Sequence, residues 1–328
     1  MKMGFKISFR RIEMFRKIET EKTYDVVIVG GGPAGVAAGI YAARYMLDTV
    51  LITKEKGGQM DEAGYVENYP GFKRILGPDL VDKFYDHLSE YKVPVVLDEV
   101  TNIIRGNNGL FIVETVSGKL FRTKTVILAL GVIRRKLGVP GEEEFSGRGV
   151  SYCAPCDAPL YKKKVVAVVG GGDSAASAAL LLADYAKKVY LIHRRDKLRA
   201  QPFYVKKLAT HPKIQLILNS NVAEIGGTKT VEWVRIRETG EKIRVDGVFI
   251  EIGSDPPKEL FRKIGIETDE KGYAIVGSDQ STNIPGIFAA GDCTVACNMF
   301  KQIITAAAQG AVAADSAYRY IVEKFGGK

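Results

Sequence analysis

The chain has 328 residues, a formal net charge of +9, 46% hydrophobic and 26% charged residues. That is the balance of a folded globular protein with room for two domains, not of a disordered or membrane-embedded chain. No apolar run reaches the roughly 18 residues of a transmembrane helix, and four cysteines are too few for a secreted disulfide scaffold of this length. The basic residues come as scattered pairs such as Lys187 with Lys188, which argues against a nucleic-acid stripe; most read as solvated faces, and docking of an acidic protein partner is the leading functional reading.

Residues 1–22 are basic and amphipathic but lack the apolar core and small-residue cleavage site of a secretion signal. They are set apart as an N-terminal extension, and the expected location is cytoplasmic, with no membrane partner. The run YDVVIV at residues 24–29 is a β-branched buried strand, followed at once by GGGPAG and the small-residue helix VAAGIYAARYML. A second strand, TVLIT, ends at Thr53. The pattern returns at residues 165–192 as strand VVAVV, turn GGGDSA, helix ASAALLLADYA and strand KVYLI. An internal duplication of a βαβ mononucleotide unit implies two nucleotide-binding sites.

In the first turn Gly30 permits the tight bend, Gly32 lets a pyrophosphate approach the backbone, and Gly35 lets helix pack on strand, with Pro33 and Ala34 opening the helix. The helix start offers free N–H groups and a positive dipole end to phosphates. An acidic ribose partner is expected about 20 residues on, yet the strand runs into Thr53, Lys54 and Glu55. Glu55 or Thr53 with backbone is left for that role. The second turn repeats the chemistry with Gly170, Gly172, Asp173, Ser174 and Ala175, and its second strand ends in HRRDKLR, residues 193–199. No acid stands where an NAD ribose needs one, and Arg194, Arg195 and Arg199 suit a 2′-phosphate through their planar forks.

Between the two units lies CAPCD, residues 153–157. The spacing of Cys153 and Cys156 allows a small disulfide ring whose reactivity follows thiolate fraction. Pro155 stiffens it, and Asp157 is placed to move a proton to or from a leaving sulfur. A zinc half-site completed by Cys293 and Cys297 is the competing reading, and no metal is assigned.

The stretch TNIPGIFAAGD ending at Asp292 resembles the second FAD signature of the two-dinucleotide-binding flavoproteins. ENYPG at residues 67–71, GGQ at 57–59 and CAPCD narrow the resemblance to the low-molecular-weight thioredoxin reductases. It covers about residues 23–325. The resemblance implies an α/β protein of two Rossmann-like FAD/NAD(P)-binding domains, the second inserted into the first. The FAD domain is expected at residues 23–134 plus 256–328 and the NADPH domain, carrying the redox disulfide, at 135–255. The two linkers would act as a hinge.

The resemblance further implies that Gly58, Gln59, Asn68, Val100, Ala129 and Gly131 join the first turn and Thr53 around FAD. Asp292 would bind the ribityl chain, with Lys301, Gln302 and Ile303 beside the flavin. His193 and Ile252 would join the second turn and the arginines around NADPH. Cys156 would be the sulfur next to the flavin. Lys301 stands where the family commonly has Arg, and Ser177 where it often has Glu. The implied activity passes electrons from NADPH through FAD and the disulfide to thioredoxin or a glutaredoxin-like protein disulfide, in a homodimer. A flavoprotein feeding another acceptor such as oxygen, and a non-catalytic nucleotide sensor, stay open as alternatives.

Overall fold

A computed structural model describes residues 22–63, 65–106 and 108–326. Apart from Lys22 the N-terminal extension lies outside the described residues. The helices are α1 (Pro33–Arg44), α2 (Gly77–Glu90), α3 (Ala154–Asp157), α4 (Asp173–Tyr185), α5 (Pro202–Thr210), α6 (Lys258–Ile264) and α7 (Ile303–Phe325). The described residues divide into two compact units, one of residues 22–58, 81–132 and 256–326, the other of 59–80 and 133–255. Residues 59–80, expected with the FAD domain, thus make their contacts chiefly with the second unit.

The first unit is built on a sheet in the order Val95–Leu97, Thr49–Lys56, Thr23–Gly31, Leu120–Leu128, Phe111–Thr115 and Val100–Arg105, with Ile287–Ala289 also on Leu120–Leu128. The first four strands and Ile287–Ala289 are parallel, with α1 and α2 as the helical crossovers of the first three; Val100–Arg105 and Phe111–Thr115 form an antiparallel meander that leads into Leu120–Leu128. Val27, Val29, Val50, Ile52, Val126 and Leu128 share one buried cluster with Phe111 and Phe121. α1 ends at Arg44, short of the VAAGIYAARYML reading, because Met46 adopts φ 59°. There the Tyr45 and Leu47 N–H groups bond back to Tyr41 and Ala42 carbonyls and close the helix.

The second unit holds a fully parallel sheet ordered Val150–Ser151, Gly247–Glu251, Val165–Gly170, Lys188–Ile192 and Ile214–Ile217. Both faces of its central strand are buried, which is why VVAVV reads as an unbroken apolar run. Val166 and Val168 pack on the alanines of α4. Ala167 and Val169 meet Val222, Ile225 and Val234 of an antiparallel three-stranded sheet on the other side. The two expected linkers pair with each other: Ile133–Arg134 lies antiparallel to Ser254–Asp255. Arg135 adds a two-bond contact to the Asp255 carboxylate at 2.7 and 3.0 Å.

Candidate active site

In the first unit the strand Thr23–Gly31 delivers the glycine turn against backbone. A Cβ on Gly30 would meet the Ala129 carbonyl oxygen at 2.1 Å, and one on Gly35 would meet the Gly30 oxygen at 1.8 Å. A side chain on Gly32, by contrast, would find only the Gly57 oxygen, at 3.6 Å, and on Gly131 nothing within 4 Å. The first pair therefore needs glycine for packing, while the second keeps space open above the backbone. α1 starts at Pro33 with no side chain capping it from Gly32, so its first N–H groups are left for an outside acceptor such as a phosphate. Gly58 sits beside this turn, 3.9 Å from the Gly32 Cα by its notional Cβ.

Thr53 is buried beneath the turn and its hydroxyl donates to the Glu55 carbonyl at 2.5 Å. Glu55 itself is exposed. Tyr85, which the sequence did not single out, is buried and donates its hydroxyl to the Gly31 carbonyl at 2.8 Å. Its only signal is a tyrosine on the apolar face of an amphipathic helix. Val100 pairs with Thr115 at the head of its strand and its side chain is in the core, leaving backbone for any ligand.

Asp292 follows Gly291, whose φ is 82°. No described residue hydrogen-bonds the Asp292 carboxylate, and burial pushes its pKa upward against the opposing pull of Lys301. A half-buried carboxylate without donors is a ready acceptor for ligand hydroxyls. The turn before it is held from α7: buried Gln309 accepts the Gly291 N–H at 2.6 Å and is reached by the Thr294 hydroxyl at 3.3 Å. Next to it, a Cβ on Gly310 would lie 2.0 Å from the Ala34 oxygen, so this glycine lets α7 cross the start of α1. Lys301 donates to the Tyr273 hydroxyl at 2.7 Å. Gln302 caps α7 before Ile303, and its N–H donates to Thr305 at 3.2 Å.

In the second unit Gly170 is pressed against the Glu251 carbonyl, 2.2 Å from a notional Cβ, whereas Gly172 has nothing within 4 Å. α4 begins with no side-chain cap from Gly172, Ala175 is buried against the turn, and Ser174 is exposed. Both oxygens of Asp173 are engaged inside the chain, by the Gln201 N–H at 2.7 Å and the Gln201 side-chain amide at 2.8 Å. Buried His193 packs its ring against Gly171, and its Nε2 has no hydrogen-bond partner. Burial, then the neighbouring Arg199, lowers its pKa and keeps the ring neutral. Arg194, Arg195 and Arg199 are exposed, with no described partner for their guanidinium groups. Ile252 is half-buried at the end of Gly247–Glu251. Gln59 and Asn68 belong to this unit, the former donating to the Ser254 hydroxyl at 3.4 Å.

Cys153 and Cys156 form a disulfide with Cα atoms 5.4 Å apart. Cys153 is the N-cap of α3, and its sulfur accepts the Cys156 N–H at 3.3 Å. Cys156 is the more exposed of the two. Asp157 closes α3 half-exposed, with no described hydrogen bond to its carboxylate. Cys293 is buried, its thiol pushed up to about 12 by desolvation, and no group of three or more potential metal ligands occurs among the described residues.

Two dinucleotide folds, one of them carrying a CxxC disulfide, define a nucleotide-dependent disulfide oxidoreductase of the α/β class. Residues 24–310 match the family described as pyridine nucleotide-disulphide oxidoreductase, and the chain belongs to that family. It is 44% identical over 309 residues to a thioredoxin reductase of Listeria innocua, covering 92% of this chain and 95% of that protein. Against one from Bacillus subtilis the identity is 41%, over 92% and 96%. The crystal structure of Lactococcus lactis thioredoxin reductase superposes with a TM-score of 0.85 at 42% identity, covering 92% of this chain and 99% of that one. The T. acidophilum enzyme gives 0.84 at 40%, over 90% and 98%.

Proposed function

We propose that this chain is a thioredoxin-disulfide reductase that uses NADPH and bound FAD. The observation that carries the reading is the Cys153–Cys156 disulfide, set at the start of α3 in the unit that also holds the second dinucleotide turn. FAD held by the first unit would supply the two-electron chemistry that links the nicotinamide to sulfur.

The chain's own residues do the rest. Gly30, Gly32 and Gly35 with the start of α1 would hold the FAD pyrophosphate, and Asp292 would accept from the ribityl hydroxyls. Gly170, Gly172 and the start of α4 would hold the NADPH pyrophosphate, and Arg194, Arg195 and Arg199 would take the 2′-phosphate. Reduction of the disulfide by two electrons and two protons gives two thiols, and Asp157 holds or releases a proton beside them. The N–H bond to the Cys153 sulfur favours negative charge there once the disulfide opens. No helix among the described residues is long and apolar enough to cross a membrane. A cytoplasmic homodimer completes the reading.

The test compares wild type with Cys156→Ser, using oxygen and oxidised thioredoxin as alternative acceptors for NADPH electrons. Thioredoxin reduction is expected to vanish in the variant while slow oxygen reduction survives. Equal thioredoxin reduction by both proteins contradicts the proposal.

A further inference from the structure

The loop that carries the basic residues is fixed at several backbone points. His193 donates its N–H to Ile217 at 2.9 Å and accepts one from Ser220 at 3.0 Å; the Arg195 carbonyl accepts from Asn219 at 3.0 Å; the Arg199 N–H donates to Gly171 at 2.6 Å. The last anchor is a side chain. Asp173, one residue past the open position at Gly172, grips both the backbone and the side-chain amide of Gln201 at 2.7 and 2.8 Å.

We infer that Asp173 and Gln201 are positioning residues that set the preference for a 2′-phosphorylated coenzyme. They tie the end of the arginine loop to the phosphate turn.

Two physical consequences support this. An acid in the first turn of α4 would repel a pyrophosphate approaching the helix start, but the two Gln201 donors occupy both Asp173 oxygens and hold the carboxylate on a partner within the chain. A loop held at its far end also presents the exposed Arg194, Arg195 and Arg199 with less ordering entropy to lose when phosphate arrives. Without the clasp the guanidinium groups remain, and only their arrangement loosens. The inference rests on the reading of those arginines as the 2′-phosphate contacts.

The test uses the flavin-loaded protein and calorimetric binding of adenosine 2′,5′-bisphosphate and of AMP, which lacks the 2′-phosphate. For Asp173→Ala the affinity for the bisphosphate is expected to fall about ten-fold, with AMP affinity changed less than about two-fold. Gln201→Ala, a substitution at a half-exposed position, is expected to act in the same direction. Asp173→Asn keeps one acceptor oxygen and should recover part of the preference. An unchanged preference in Asp173→Ala and Gln201→Ala overturns the inference. So does an equal loss for both ligands, which places the effect in the shared turn, or an equal gain, which makes Asp173 a repelling charge only. Arg199→Ala separates the two levels: if it too leaves the preference intact, the arginine reading itself fails, whereas its loss of preference beside an unaffected Asp173→Ala sinks the clasp alone.

Discussion

The side-chain oxygen of Gln309 accepts the backbone N–H of Gly291 at 2.6 Å, so a residue in mid-helix fixes the turn that aims Asp292. Replacing Gln309 with Leu keeps the bulk but strips the Gly291 N–H of its partner inside the protein. Leaving such a donor unmet costs about 1–3 kcal/mol. The Gln309→Leu protein is expected to melt several degrees lower and to lose flavin on gel filtration, read from the ratio of flavin to protein absorbance. Full flavin retention would show that this bond does not position the turn.

The glycines divide into two experimental classes. Gly310→Ala places a methyl 2.0 Å from the Ala34 oxygen, and overpacking of that kind costs about 1–3 kcal/mol. Gly172→Ala meets nothing within 4 Å and its φ of −96° suits alanine. Its stability should change by less than about 1 kcal/mol, yet its methyl occupies the space assigned to the coenzyme pyrophosphate. Denaturation curves should show the first effect, and a raised KM for NADPH the second.

A buried carboxylate makes stability depend on pH. Glu251, with a side chain 4% exposed, bonds to Arg134 at 2.9 Å, and Arg134 also binds Glu62. Burial pushes the Glu251 pKa up to about 7, with Arg134 opposing and Glu62 adding to the rise. The native state therefore holds a proton that the unfolded chain has already lost. Stability present below an unfolded-state pKa of about 4.5 declines as pH rises and is gone above about 7. Glu251→Gln removes this dependence. Relative to wild type the variant should gain roughly 1–3 kcal/mol between about pH 5 and about pH 8, measured by denaturant melts across that range. Parallel curves for the two proteins would contradict the assignment.

Much of the fold was legible because strand, glycine turn and small-residue helix follow one another without interruption. VVAVV with GGGDSA gave the second nucleotide fold in a single run of chain, and CAPCD placed both sulfurs of the disulfide. Tyr85 and Gln309 were not legible, since each supports a glycine turn distant in sequence, and a polar residue on a buried helix face names no partner. Asp173 illustrates the same limit: its position beside a phosphate turn suggests a ligand, while its partner Gln201 appears only when the chain folds back. The placing of residues 59–80 by contact was likewise hidden, because Tyr65 and Leu76 reach the second unit's core through a short hairpin.

An anaerobic titration of the flavin-loaded protein with NADPH counts the electrons the molecule can store. Wild type should take up about two electron pairs per flavin, one of them ending on the sulfurs, and Cys153→Ser about one. Identical uptake by the two proteins, or a purified chain that binds no flavin, would contradict a relay ending at the Cys153–Cys156 disulfide.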